Sequence, residues 1–390
     1  MRRGRVITEE FESDVLRGNA SGDPHVRRVP VYLPPAYDEH PERAFPVVFV
    51  LAGFTGRGRA LLNDGPWAPG LDERMDMLIA GRGAGLACGE VILVLPDCFT
   101  RFGGSQYLNS SATGRYEDHI VQELVPHVDR RFRTIPDREH RGITGKSSGG
   151  YGTLMLAMRH PDVFGAAASH SGDLEFDYCY RGDVPRFCTL VQEAGGLAAW
   201  LERFRGKTQK SKDDFVALNI LAMAAAYSPN PEAGPLGIDL PCDLASGAFR
   251  EDVWRRWLEL DPLRLVERHA DALRSLKLLY FDCGVRDEWN LHLGARLLHR
   301  KLESLGIPHR HEEFDDGHMN VSYRYDVSLP LLAAVRALKA DARTARIPIV
   351  AFYSHVETEL RRRALDAGAD RVLPRSAFTA QLARLIAPGA

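Results

Sequence analysis

The chain has 390 residues, of which 45% are hydrophobic and 26% charged, with a formal net charge of -2. This length allows one large core with additions, because domains usually have roughly 50 to 250 residues and α/β domains can exceed that. A nearly neutral chain creates no strong electrostatic field, so we expect neither nucleic-acid nor membrane partners. No apolar run reaches the length of about 18 residues that a membrane span needs. Acidic residues, not an apolar core, follow the basic N-terminus, which predicts a cytoplasmic protein.

Short apolar runs alternate along the chain with segments of helical periodicity. The apolar runs lie near residues 26–32, 45–53, 91–96, 142–144, 165–169, 276–281 and 309–314. Continuous β-branched runs such as Val47-Val48-Phe49-Val50 are typical of strands buried on both faces of a parallel sheet. Residues 117–132 and 291–305 carry the periodicity of amphipathic helices. The alternation predicts an α/β fold with a mostly parallel central sheet, helices on both faces and ligands at the carboxyl ends of the strands.

Two segments depart from this alternation. Residues 175–274 are helical in pattern and contain a loop rich in proline and glycine, so we expect a helical cap inserted over the strand ends. Its aromatic residues either line a pocket for aromatic esters or pack the cap: Phe176, Tyr178, Tyr180, Trp200 and Trp254. A new βαβα pattern begins at Ile347, which predicts a domain over residues 1–340 and an extension over 341–390.

The strongest local signal is Gly145-Lys146-Ser147-Ser148-Gly149, a G-x-S-x-G sequence between a short strand and a helical segment. This context is that of a nucleophile elbow, a sharp turn that presents the Ser147 hydroxyl above the sheet. Gly145 and Gly149 suit the tight turn because side chains there would collide with neighbouring backbone. A phosphate-binding loop would need glycine where His140 stands. A glycine-rich turn without catalytic function is the remaining alternative.

A serine nucleophile needs a histidine base and a carboxylate that orients the histidine. In this kind of fold the chain order is serine, acid, histidine. Asp287 lies in the loop after the strand at 276–281 and is the predicted acid, with Glu288 and Asp282 as alternatives. His318 follows a glycine in the loop after the next strand, and among the 14 histidines it is the predicted base.

The reaction also needs donors for an oxyanion. The backbone N–H of Ser148 is one predicted donor, and the N–H of Phe54, in the glycine-rich turn after the strand that ends at Gly53, is the other. The alternative for this turn is an ordinary surface loop. Gly53, Tyr107 and Trp289 are the predicted substrate contacts. No metal or cofactor is implied by these residues.

From about residue 28 to residue 336 the chain resembles the putative-esterase group of α/β-hydrolases, which includes esterase D, enterochelin esterases and feruloyl esterases. The resemblance rests on six segments: Val31 to Tyr37, Leu51-Ala52-Gly53, Leu95-Pro96-Asp97, residues 116–133, the elbow, and Asp316-Gly317-His318. It implies an α/β-hydrolase fold with Ser147 as nucleophile, Asp287 as acid, His318 as base, and the Phe54 and Ser148 amides as the oxyanion hole. Residues 104–111 resemble the family's site-lining loop, although such hydroxyl-rich loops are often solvated connections. The chain departs from the family at Ala52, commonly histidine, and at Ser148, commonly methionine.

Residues 347–387 resemble the second half of a response-regulator receiver domain. The half that would carry the phosphorylated aspartate is missing, Leu373 replaces the usual lysine and Tyr353 the usual Ser or Thr, so no phosphorylation switch is expected. An incomplete unit of this kind exposes a sheet edge. We therefore expect it to pair with the hydrolase sheet or with another copy of the chain, which allows a homo-oligomer.

The six cysteines lack the spacing of a zinc site, and most are expected to be reduced thiols; Cys179 and Cys188 are the one pair close enough to suspect. The prediction is a serine carboxylesterase that acts on small-molecule or polymeric esters through an acyl-enzyme on Ser147. A thioesterase or acyltransferase with the same triad is the first alternative. A non-catalytic binding protein on the same fold is the second.

Overall fold

A computed structural model describes residues 2–63, 68–82, 88–333, 350–353 and 371–374. The main sheet has eight strands in the order β1-β2-β4-β3-β7-β8-β9-β10. These strands are β1 (Arg5–Glu12), β2 (Val26–Leu33), β3 (Val47–Leu51), β4 (Ile92–Val94), β7 (Arg141–Lys146), β8 (Ala166–His170), β9 (Leu278–Gly284) and β10 (Arg310–Phe314). A separate small ribbon pairs β5 (Asn109–Ser110) with β6 (Gly114–Arg115).

The pairing of β1 with β2 and of β2 with β4 is antiparallel, and every other pair in the main sheet is parallel. The mostly parallel sheet predicted from the sequence is therefore confirmed, and β1 is an edge strand that the sequence analysis did not predict. β3 and β8 are buried along their whole length, as expected for strands covered by helices on both faces.

Helices flank the sheet and also fill the long connection between β8 and β9. The α-helices are α1 (Ala36–Glu39), α2 (Leu71–Ile79), α3 (Tyr116–Asp118), α4 (Val125–Arg131), α5 (Ser148–Arg159), α6 (Phe176–Cys179), α7 (Val184–Glu193), α8 (Leu197–Gly206), α9 (Lys212–Tyr227), α10 (Glu251–Leu258), α11 (Pro262–Leu265), α12 (Ala270–Arg274), α13 (Leu291–Ser304) and α14 (Tyr325–Ala333). A π-helical turn, His119–Leu124, joins α3 to α4, and short 3-10 turns lie at Gly58–Leu62, Arg138–His140, Arg181–Asp183, Gly234–Leu236 and Ser322–Arg324. No helix in the described ranges combines the length and apolar character that a bilayer crossing requires.

The connection between β8 and β9 carries seven helices, α6 to α12, where the sequence predicted an inserted cap. Its aromatic side chains form a packed cluster in which Phe176, Tyr227 and Trp257 are almost fully buried, with Phe176 and Tyr227 stacked at 5.0 Å between ring centroids. Trp200 and Trp254 are also buried, whereas Tyr178 is half exposed. These contacts favour the packing role for the cap aromatics.

One cysteine pairing differs from the sequence-based expectation. Cys188, on α7, is paired with Cys242, in the loop that follows α9, and Cys179 is a buried free thiol. The pair that spacing along the chain led us to suspect, Cys179 with Cys188, is therefore not formed. Cys188 instead meets a residue 54 positions further along, a contact that depends on how the cap folds.

The chain divides into two compact units, residues 1–332 and 333–390. Within the second unit, β11 (Val350–Tyr353) and β12 (Arg371–Pro374) pair in parallel. A parallel pair needs a crossover connection, which agrees with the βαβ pattern of this segment. The helices predicted for the extension lie outside the described residues, and its pairing with a sheet edge stays a prediction.

Candidate active site

Ser147 occupies a strained turn between β7 and α5. Its φ of 58° and ψ of -125° lie outside the conformations that non-glycine residues usually adopt. The turn is tight enough to require glycine on both sides: a Cβ on Gly145 would lie 2.5 Å from the Gly149 oxygen, and a Cβ on Gly149 would lie 2.2 Å from the Leu51 oxygen. Strain of this kind is retained where the surrounding structure enforces it, as at functional sites. The turn has the geometry predicted for a nucleophile elbow.

His318 and Asp287 form a buried hydrogen-bonded pair. Asp287 Oδ2 lies 2.7 Å from His318 Nδ1, and both side chains are almost completely buried. Burial alone would raise the pKa of the Asp287 carboxyl, but the hydrogen bond and charge of His318, with the backbone N–H of Trp289, hold its pKa below the ordinary value. An ionised Asp287 fixes the ring orientation of His318 and leaves Nε2 to act as a proton acceptor.

The two alternative acids are engaged elsewhere. Glu288 Oε2 accepts the backbone N–H of His318 at 2.8 Å, so Glu288 orders the histidine loop and not the imidazole. Asp282 bonds to His170 and Arg324 instead. Of the three candidates, the geometry therefore favours Asp287 as the partner of His318.

Sheet topology places the three predicted triad residues at one edge. Ser147 directly follows β7, Asp287 follows β9 and His318 follows β10, and these strands belong to the consecutive set β7-β8-β9-β10. Parallel neighbours are about 4.8 Å apart, so their carboxyl ends form a contiguous site. Within the described residues the Ser147 hydroxyl makes no hydrogen bond. Nucleophile-to-base contacts are often long in the absence of substrate.

The predicted oxyanion donors lie next to the elbow. A Cβ on Gly53 would be 3.5 Å from Ser147 Cβ, which shows that the end of β3 approaches the serine closely. Neither the Phe54 amide nor the Ser148 amide donates a backbone hydrogen bond inside the described ranges. Ser148 is the first residue of α5, where the N–H has no partner in its own helix and the helix dipole is positive. Both amides are therefore available to an anion above Ser147.

The three predicted substrate contacts have different environments. Gly53 borders the elbow as described. Tyr107 is buried, and its hydroxyl donates to the Ala52 oxygen at 2.5 Å, so it holds the backbone that leads into the oxyanion turn. Trp289 is 37% exposed and its ring meets the His318 ring edge-on at 4.8 Å. A direct contact with substrate stays a prediction for all three.

The sequence analysis missed a buried polar network beneath the elbow. Asp173, in the loop after β8, accepts from the Tyr180 hydroxyl at 2.6 Å and from Gln106 Nε2 at 3.1 Å, and Ser148 Oγ lies 3.5 Å away. Burial raises the pKa of Asp173. The signal that could have identified it is an acidic residue just after an apolar strand. The network ties the start of α5 to the cap.

Lys146, which precedes the nucleophile, adds a cation to the same edge. Burial lowers the pKa of its ammonium group, against the opposing attraction of Asp287, Glu288 and Asp173. Lys146 therefore lies close to three carboxylates at the strand ends.

A second serine–histidine–aspartate set lies deeper in the molecule. His170 Nδ1 is 2.8 Å from Asp282 Oδ1, and His170 Nε2 is 2.8 Å from Ser328 Oγ. His170 and Asp282 are register partners at the ends of β8 and β9. All three side chains are at most 2% exposed. No substrate could reach this serine without unfolding of the surrounding core, so we interpret the set as structural.

Comparison with known proteins agrees with this architecture. Residues 24–329 match the family model described as Putative esterase. Esterase Rv1288 of Mycobacterium tuberculosis is 35% identical over 88 residues, which are 21% of this chain and only 18% of that protein. A ferulic acid esterase structure superposes with a TM-score of 0.56 at 20% identity, covering 86% of this chain and 100% of the other. An S-formylglutathione hydrolase from Agrobacterium tumefaciens superposes with a TM-score of 0.51 at 17% identity, covering 85% and 96%.

At these identities the structural likeness shows the fold, and the predicted α/β-hydrolase fold is confirmed. The curated esterase relative shares only a short segment with this chain, so its activity does not transfer directly. The family model, in contrast, covers most of the chain and both ends of the elbow-to-histidine region. The chain belongs to the Putative esterase family.

Proposed function

We propose that this protein is a serine carboxylesterase that works through an acyl-enzyme on Ser147. The observation that carries the proposal is the buried 2.7 Å hydrogen bond between His318 Nδ1 and Asp287 Oδ2 at the sheet edge that also carries the Ser147 elbow. An oriented histidine, a strained serine and free amides at a helix N-terminus are the parts that acyl transfer needs. Family membership supports ester bonds as the target.

In the first half of the reaction, the Ser147 hydroxyl attacks the carbonyl carbon of the ester while His318 Nε2 takes its proton. The C=O bond becomes a C–O⁻ bond, and the Phe54 and Ser148 amides donate to that oxygen. Each such donor contributes roughly 3 to 4 kcal/mol to transition-state stabilisation in comparable sites. The tetrahedral intermediate then breaks its bond to the alcohol oxygen, which receives the proton from His318.

In the second half, water replaces the alcohol. His318 takes a proton from the water as its oxygen attacks the acyl carbon, and the same amides hold the second oxyanion. Breaking the bond to Ser147 Oγ releases a carboxylic acid, and His318 returns the proton to the serine. Asp287 stays ionised throughout and stabilises the imidazolium that forms in each half.

The test compares two serines that both belong to a serine–histidine–aspartate set. Ser147→Ala should lower kcat for p-nitrophenyl butyrate by at least about 10⁴-fold, because the covalent route is lost. Ser328→Ala is the matched control and should keep most of the activity, since that serine is buried. An active-site-directed phosphonate should label Ser147 in the wild type and in the control only.

Retained turnover or labelling in Ser147→Ala would refute the nucleophile. Absence of both in the wild-type protein would favour a non-catalytic binding protein on this fold. Faster turnover of matched thioesters, or transfer of the acyl group to added alcohols, would instead identify a thioesterase or an acyltransferase.

A further inference from the structure

A recess lies at the carboxyl edge of the sheet, on the side of the oxyanion turn away from the elbow. It is a pocket with a volume of about 270 Å³, and its lining includes Arg27, Arg28, Arg57, Asp23, Asp97 and Phe99. β2 runs antiparallel to β4, with Val31 opposite Val94. The start of β2 is therefore beside the carboxyl end of β4, where ligands of open α/β sheets bind.

Most charges in this pocket are already engaged. Arg27 is only 4% exposed, with Nη1 bonded to the Phe99 oxygen at 2.8 Å and Nη1 4.0 Å from Asp97. Arg28 pairs with Glu10 at 3.4 Å on the surface. Asp23 Oδ1 accepts the backbone N–H of Arg101 at 2.9 Å.

Arg57 is the exception among these charges. Its guanidinium lies 4.5 Å from the centroid of the Phe99 ring, and inside the described ranges it makes no ion pair. Arg28 is neutralised by Glu10 and Arg27 by Asp97, so Arg57 is the lining cation that has no ion pair within the described residues. Contact with an aromatic ring leaves the N–H groups of a guanidinium able to donate to a carboxylate. These features favour an anionic ligand over a cation.

The position of Arg57 connects the pocket to the reaction centre. It lies three residues after Phe54, the predicted oxyanion donor. The next residue, Gly58, packs against the end of β4 so closely that a Cβ would overlap the Leu95 oxygen. β4, β3 and β7 are consecutive in the sheet. Two strand spacings therefore separate the pocket edge from the elbow, about 10 Å along the sheet.

We propose that this pocket binds a carboxylate carried by the ester substrate, with Arg57 as the principal contact. The inference rests on the proposed esterase function and names its substrate class as esters with an anionic group remote from the scissile bond. The carboxylate belongs either to the acyl part or to the alcohol part of the ester, and in both cases it lies at the end remote from the ester bond. Phe99 offers an aromatic surface to the part of the substrate that connects the ester to the carboxylate.

The experiment measures kcat/KM for p-nitrophenyl hydrogen adipate and hydrogen suberate and for their neutral methyl esters. 4-Acetoxybenzoate and its methyl ester test an anion on the alcohol side. Wild type should prefer the anionic member of at least one pair. Arg57→Gln should lower that preference about fivefold to tenfold, and Arg57→Glu should lower it further, because a charged hydrogen bond is lost and then replaced by repulsion. High salt should also reduce it.

Arg59→Gln is the matched control, since Arg59 is exposed two residues further along, in the 3-10 turn that Arg57 precedes, but does not line the pocket. It should keep the wild-type preference. A preference that is absent from wild type, or equal in wild type and Arg57→Gln, overturns the inference while leaving the proposed esterase intact.

Binding separates the two proposals. Calorimetry with Ser147→Ala should give a Kd for suberate that rises about fivefold or more when Arg57→Gln is added, whether or not any ester is hydrolysed. Equal binding by both variants contradicts the pocket. Absence of turnover with all esters contradicts the esterase and leaves this binding comparison to decide the pocket.

Discussion

Two sets of serine, histidine and aspartate lie at neighbouring strand ends. They have the same composition, but they differ in how far their side chains are exposed to solvent. In the inner set, His170 bonds both Asp282 and Ser328, and no side chain is more than 2% exposed. In the outer set, His318 bonds Asp287, while Ser147 is partly exposed and its hydroxyl makes no hydrogen bond within the described residues.

The backbone conformation at the two serines differs even more clearly. Ser147 stands in a strained turn at the start of α5, next to amides that can hold an anion. Ser328 lies inside the helix Tyr325–Ala333, in regular backbone and not in a strained turn. A serine, a histidine and an aspartate linked by hydrogen bonds are therefore not sufficient for catalysis. A catalytic set also needs a serine hydroxyl that substrate can reach and backbone amides that are free to hold the oxyanion.

The largest contrast should come from Asp287→Asn. The amide would donate to His318 Nδ1 and hold the ring in the tautomer that cannot accept the serine proton. We expect kcat for p-nitrophenyl butyrate to fall by about 10³- to 10⁴-fold with a smaller change in KM. Steady-state kinetics measure both values. An unchanged kcat would remove Asp287 from the proposed triad.

Asp282→Asn is the counterpart in the inner set and should affect stability instead. Asp282 is buried between His170 and Arg324, which hold its pKa below the ordinary value although burial acts to raise it. Loss of this carboxylate leaves a buried cation without full compensation and should cost about 3 to 5 kcal/mol in unfolding free energy. Denaturant unfolding measures the cost. A large loss of kcat in the folded variant would show that the inner set takes part in catalysis.

Asp261 sharpens the comparison because it is a buried carboxylate with no cation partner in the described part of the chain. Burial raises the pKa of Asp261 to about 6, although it accepts the N–H groups of Phe176 and Leu263. The pKa of Asp261 is higher in the folded state than its ordinary value of 3.8. The carboxyl group therefore adds to the free energy of unfolding below about pH 4, and this stabilisation is lost as the pH rises through about 6. The stability of wild type relative to Asp261→Asn should therefore fall by up to about 3 kcal/mol between pH 4 and pH 7. Unfolding free energies are measured for both proteins at several pH values. A difference between wild type and Asp261→Asn that is the same at every pH would contradict the prediction.

Ser328→Ala should have the smallest effect. The substitution removes the partner of His170 Nε2 and leaves a buried ring nitrogen unsatisfied, at a cost of about 1 to 2 kcal/mol. Turnover should stay close to that of wild type. Chemical denaturation gives the first quantity and steady-state kinetics the second. A loss of stability without a loss of activity is the result expected if the inner set has a structural role.

The sequence by itself determined the features that depend on short segments. Apolar runs predicted the strands of the parallel sheet, because burial on both faces demands a continuous apolar segment. Gly145 and Gly149 around Ser147 predicted the elbow, since only glycine tolerates the close backbone approach there. The order of serine, acid and histidine also follows directly from strand-end loops.

Only the tertiary structure decided between neighbours in the chain and brought together residues far apart. The sequence favoured Asp287 but left Glu288 and Asp282 open, and the structure separates the three by their partners: the His318 ring, the His318 backbone and His170. Three features each join segments that are far apart in the chain: the inner set, the pairing of Cys188 with Cys242, and the pocket that Arg57 lines. Such contacts depend on strand order and register, which hydrophobic pattern alone does not specify.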